Sequence, residues 1–304
     1  MNFENIGLAQ GQLPIAETQA LRKPRIALMG EFSAGKSTLA NLLIGAQHLP
    51  VQVTATQLPP VWISQGNTPP YRVDLEGKSI PVSLARLEDV PILETAFIRM
   101  FENSEILEKC DIIDMPGISD PNMPAAVWQR VLPQADGVIW CTHATQAWRQ
   151  SENAIWSTMT PELQRRSLLL LTRIDKIVSE RDRERIVARV GKETTGQFSG
   201  SCLPISLTRA IADIGNAATF EAAGGTAFYA AFAELLRAIR ADFGHPVAQI
   251  TAARPGGDVQ GAMPILPRRI RSETAQTGLT PRPTAGVVDV EIAAFRALAQ
   301  KVQQ

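Results

Sequence analysis

The sequence predicts an α/β fold, a mostly parallel sheet flanked by helices, and two observations carry that prediction. Between Arg25 and about Phe243, short apolar runs of strand length alternate with longer stretches of helical period, the order that yields parallel strands joined by crossover helices. At the first strand-to-helix junction stands Gly30-Glu31-Phe32-Ser33-Ala34-Gly35-Lys36-Ser37, a G-x-x-x-x-G-K-S loop.

The first strand is RIALMG, and the residues after the loop, from Lys36 to Gly45, have helical character. Further strands are expected at VWISQ, KCDIID, GVIWC, SLLLLT and SCLPIS. Tyr71 to Ser83 carries a Glu76-Gly77 pair between alternating residues and reads as a hairpin added to the sheet. Helices are expected over Leu84 to Phe101, Gln150 to Thr158, Lys176 to Val190 and Thr226 to Ala241. In the last, Phe228, Phe232, Leu235, Leu236 and Ile239 share one face, as a helix packed on a core requires.

The 304 residues accommodate one large domain at 25–245, after a short N-terminal segment at 1–24. From 246 to 286 prolines, glycines and arginines replace the apolar period, which reads as a linker. Its arginines at 254, 268, 269, 271 and 282 outnumber Asp258 and Glu273; a solvated linker is preferred over a contact with an anionic surface. A C-terminal amphipathic helix is expected at 287–304, through Val288, Ile292, Phe295 and Val302. Thirty basic residues balance thirty acidic ones, so no nucleic-acid partner is expected.

Cys110, Cys141 and Cys202 lie in or beside apolar runs and read as buried reduced thiols. With neither a signal-peptide pattern at the start nor an apolar run of membrane-spanning length, the expected location is cytoplasmic. His48, His143 and His245 lack metal-ligand spacing, and Trp140, Trp148 and Trp156 read as packing residues.

The loop's chemistry follows from its spacing. Glycines let the backbone curl so that successive N–H groups point inward at an anion, and the following helix adds the positive end of its dipole. Lys36 would reach the β- and γ-phosphates of a nucleotide, and the Ser37 hydroxyl would ligate magnesium. Asp114-Met115-Pro116-Gly117 follows an apolar strand. Its carboxylate can hold a magnesium-bound water, and the Gly117 N–H can meet the γ-phosphate. Thr172-Arg173-Ile174-Asp175 ends another strand, where a carboxylate accepts from guanine N1 and N2 but is repelled by the N1 acceptor of adenine. Arg173 stands where a lysine is usual, and its planar head can cover a base.

In this order GEFSAGKST, the downstream threonine segment, IIDMPG and TRID resemble the GTP-binding domain of the dynamin superfamily, particularly bacterial dynamin-like GTPases, across roughly Arg25 to Phe243. Ser33 and the stretch ADGVIWCTHATQAWRQSE share in the resemblance. It implies a P-loop GTPase domain that binds GTP or GDP through Gly30 to Thr38, Asp114, Gly117, Thr172, Arg173, Asp175 and Ser206. Ser37, Thr56 and Asp114 would hold magnesium, with Thr54 competing for the place of Thr56, and Lys36, Ser33, Thr56 and Gly117 would serve catalysis. Pro204-Ile205-Ser206 resembles the short loop that closes over guanine.

Two departures stand out. Phe32 occupies the place of a glutamine that orients water in eukaryotic dynamins, and the roughly 60 residues after the domain are short for a helical stalk. The expected activity is magnesium-dependent GTP hydrolysis, with a nucleotide-gated binding module as the alternative. The expected partners are GTP, a second copy across the nucleotide face, and a membrane surface or stalk-bearing protein at the periphery.

Overall fold

The computed structural model describes residues 22–45, 58–121 and 123–244. The expected linker and C-terminal helix, and the N-terminal segment up to residue 21, lie outside them. β1 (Arg25–Gly30) is apolar after Arg25 because both its faces are buried there. Ile26 and Leu28 enter one core, Ala27 and Met29 the other. The loop after Gly30 leads into α1 (Lys36–Ile44), which is followed by β2 (Val61–Gln65) and the hairpin β3 (Tyr71–Asp74) and β4 (Ser79–Pro81). Next come β5 (Thr95–Glu102), α2 (Glu105–Lys109), β6 (Asp111–Asp114), α3 (Ala125–Gln129) and β7 (Gly137–His143). The rest comprises α4 (Gln150–Trp156), α5 (Pro161–Arg165), β8 (Ser167–Thr172), α6 (Glu180–Glu193), β9 (Leu203–Ile205), α7 (Leu207–Ala212), α8 (Ala217–Ala222) and α9 (Gly225–Gly244).

The nine strands form one sheet in the order β4-β3-β5-β2-β6-β1-β7-β8-β9. From β6 to β9 every pairing is parallel, whereas β2 runs antiparallel to β6 and carries β5, β3 and β4 as an extension. On one face α9 buries Phe228, Phe232, Leu235, Leu236 and Ile239 beside α1, as its apolar stripe predicts. On the other, Trp140 and Trp156 meet edge to face at 5.3 Å, and Trp156 stacks on Phe198 at 4.3 Å. The tryptophans therefore pack with one another, and all three cysteines are buried free thiols.

Two expectations fail. The helix expected over Leu84 to Phe101 is instead a 3-10 turn at Leu84–Asp89, broken at Arg86, followed by β5. Pro91 bars Val90 from helical backbone, and beyond it Ile98 and Met100 alternate with Phe97, Arg99 and Phe101, a strand's period. The helix expected from Lys176 starts later, where Ser179 caps α6 by accepting from the Asp182 N–H.

At the end of the sheet away from Gly30, Arg22 forms a two-pronged pair with Asp136 at 2.6 Å and stacks over the Phe243 ring at 4.7 Å. The two ends of the described body thus lie side by side. Phe232, fully buried and stacked on Phe228, anchors α9 to the sheet. Phe232→Ala is expected to destabilise the fold by about 3–5 kcal/mol, measured by equilibrium denaturation.

Candidate functional site

The parallel strands bring their carboxyl ends to one edge. Leu28 is in register with Asp114, Gly30 with Cys141, His143 with Thr172, and Thr172 with Ile205. Gly30 turns at φ 139°, and a Cβ there would collide with the Cys141 carbonyl oxygen. Ser33 and Gly35 then adopt left-handed backbone at φ 58° and 92°, curling the loop into the start of α1. Burial pushes the Cys141 thiol beneath the loop up to about 12, which leaves it inert as a nucleophile.

Lys36 is only 7% exposed; its Nζ donates to the carbonyls of Glu31 at 2.8 Å and Gly30 at 3.2 Å, so the cation sits inside the loop's curve. Burial lowers its pKa, opposed by Asp114 and other nearby groups. The Ser37 hydroxyl donates to Asp114 Oδ2 at 2.7 Å. Burial raises the Asp114 pKa, with the Ser37 hydrogen bond and Lys36 opposing. Asp114 Oδ1 is buried without a hydrogen-bond partner. A hydroxyl oxygen beside a carboxylate with an unpartnered oxygen is a donor set that fits magnesium, a cation satisfied by few protein oxygens plus water and phosphate. No cluster of three or more His, Cys, Asp or Glu side chains suited to a metal occurs among the described residues.

Gly117 reaches the loop three residues after Asp114, and a Cβ on it would stand 2.8 Å from Phe32 Cα. Phe32 itself is 57% exposed at the cavity rim, and its N–H donates to Ser119 Oγ at 3.1 Å. Lys36, Ser37, Thr38, Asp114, Gly117 and Arg173 line the same cavity. The Thr172 hydroxyl donates to the Ala34 carbonyl at 2.8 Å, tying the end of β8 to the loop. Arg173 is left-handed at φ 55°, and Asp175 follows in a 3-10 turn. Ser206 follows β9 and precedes α7; its Oγ is buried without a partner, and a Cβ on Gly35 would stand 3.0 Å from the Leu207 side chain. Thr56 and its competitor Thr54 lie outside the described residues.

The motifs did not identify several neighbours of these residues. Ser119 and Asp120 line or bond the site from the segment after β6, and His143 sits at the end of β7 with its pKa lowered by burial and by Arg173 and Arg149. Glu31 is not among the residues lining the cavity; its carboxylate pairs with Arg149 at 3.1 Å and accepts from Ser151 at 2.9 Å. These contacts link elements distant in sequence and have no fixed spacing to find them by.

Residues 26–174 match a family model described as the dynamin family. The chain is 26% identical over 161 residues to dynamin-like protein 2 of Campylobacter jejuni subsp. jejuni serotype O:23/36 (strain 81-176), covering 51% of this chain and 26% of that protein. The match thus spans about a quarter of the curated relative's length. Two solved chains from an oligomerised bacterial dynamin pair, described as a mechanism for long-range sensing and tethering of membranes, share the fold with TM-scores of 0.54 and 0.53. They are 18% identical over 75% of this chain and 37% of theirs.

Because burial raises the Asp114 pKa, the folded state favours its protonated form; that contribution is present at low pH and lost as pH rises through the raised value. Without nucleotide at neutral pH, Asp114→Asn is therefore expected to raise the stability of the fold, since the amide carries no charge to be buried. Denaturation midpoints measured across pH should show the gap to the unsubstituted protein narrowing toward pH 4.

Proposed function

We propose that the protein binds GTP and hydrolyses it to GDP and phosphate with magnesium, a reading supported by the match of residues 26–174 to the dynamin family. The observation that carries this reading is the Ser37–Asp114 hydrogen bond, with an unpartnered Asp114 oxygen, directly below a curled loop that holds a buried lysine.

In this reading the loop's N–H groups and Lys36 bind the β- and γ-phosphates, and the Gly117 N–H meets the γ-phosphate. Ser37 and Asp114 would hold magnesium, which neutralises charge on the phosphate oxygens. Thr56, outside the described residues, would help to order the cation. Ser33 supports the loop's curl through its left-handed backbone. Asp175 reads the guanine edge, Arg173 covers the base, and the backbone after Pro204-Ile205-Ser206 closes the pocket.

Phe32 offers no hydrogen bond to an attacking water, so fast hydrolysis requires its surroundings to be ordered by another surface. A second copy facing the nucleotide site would supply that order through transient pairing. A membrane surface or a stalk-bearing protein is the other partner in this reading, with the protein cytoplasmic and peripheral to a membrane. The exposed Phe32 also favours a second reading, a binding module gated by GTP with little turnover.

Single-turnover hydrolysis with magnesium, measured across protein concentration, separates the two. Specific activity rising with concentration is expected, with Lys36→Ala abolishing tight binding; activity no greater than buffer leaves the binding module. Asp175→Asn is expected to reduce the preference for GTP over XTP by about 1–3 kcal/mol, measured by competition. An unchanged ratio would mean that another residue reads the base.

A further inference from the structure

Glu31 brings a negative charge to the second position of a loop built to receive an anion, and its side chain is only 13% exposed. Its own carbonyl accepts from Lys36 at 2.8 Å, so its peptide unit belongs to the anion-binding curve. Like charges at this depth are weakly screened, and a carboxylate free to swing inward would oppose a triphosphate. Arg149 Nη1 holds one carboxylate oxygen at 3.1 Å, and Ser151 Oγ donates to the other at 2.9 Å.

A second arrangement fixes Arg149 in place. Glu152, 1% exposed, accepts from the Arg149 N–H at 3.0 Å, from Trp140 Nε1 at 2.9 Å and from the Thr142 hydroxyl at 2.9 Å. Trp148 is held left-handed at φ 55°, with its N–H donating to Thr142 Oγ1 at 2.9 Å. A tryptophan in that region is strained, and such strain persists only where its surroundings impose it. Its consequence is to turn the chain so that the Arg149 side chain meets Glu31.

We propose that Arg149 is a positioning residue of the phosphate loop, holding the Glu31 carboxylate off the anion site and compensating its charge. This rests on the nucleotide reading above. Arg149 acts through Glu31 and not on the nucleotide, so its loss is harmful only while Glu31 is charged.

The test is titration of the full chain with a fluorescent GTP analogue and magnesium, with near-UV circular dichroism of the tryptophans checking each variant's fold. Arg149→Ala is expected to weaken binding about tenfold, and Arg149→Lys, which keeps the charge, by less than about threefold. Adding Glu31→Gln to Arg149→Ala is expected to restore affinity to within about threefold of Glu31→Gln alone. Arg149→Gln takes the place of Arg149→Ala if the latter does not fold. An unaltered affinity in Arg149→Ala, or a double variant as weak as the single one, overturns the proposal while leaving GTP binding intact. Failure of the unsubstituted protein to bind the analogue overturns the nucleotide reading itself, and this proposal with it.

Discussion

The loop from Gly30 to Ser37 is clamped by two approaches of backbone to backbone that admit no side chain. On one side Gly30 lies against the Cys141 carbonyl at the end of β7, and on the other Gly117 lies against Phe32. Both contacts depend on β1 being central, hydrogen-bonded to β6 and β7 at once. With β6 in register beside it, Asp114 arrives under Ser37, and the segment after β6 crosses the loop at Gly117. A third tie, from the Thr172 hydroxyl to the Ala34 carbonyl, brings the end of β8 to the same loop. The geometry of the site is thus a consequence of strand order.

Burial works in opposite directions on the two central charges. It lowers the Lys36 pKa and raises that of Asp114, since each loses the water that stabilised its charged form. The groups support each other, yet Asp114 Oδ1 still lacks a partner. An arrangement left incompletely satisfied in this way is less stable than a filled one, and binding anything that completes it contributes directly to folding stability. The same burial beneath β7 keeps Glu152 above the ordinary carboxylate range even though it accepts three hydrogen bonds.

The antiparallel strand β2 has a structural consequence beyond widening the sheet. Because it runs against β6, its beginning and not its end lies at Asp114, so Leu58 and Pro59 line the cavity. Beyond it, β5 and the β3–β4 hairpin extend the sheet away from the site.

Local chemistry made much of this legible in the sequence. An unbroken apolar run means a strand buried on both faces, which identifies β1 and β8, and the stripe on α9 likewise follows from its period. The loop at Gly30 to Ser37, Asp114 with Gly117, and Thr172 to Asp175 were recognisable because each motif's spacing is short and set by backbone geometry. β5 was misread because a single sequence window mixes a turn with a strand, and only pairing with β2 and β3 decides between periods there. Strand order, the antiparallel course of β2, the Thr172–Ala34 tie and the Glu31–Arg149 pair were beyond the sequence. They join residues far apart in the chain, and the contacts exist only once the whole sheet has placed its strand ends together.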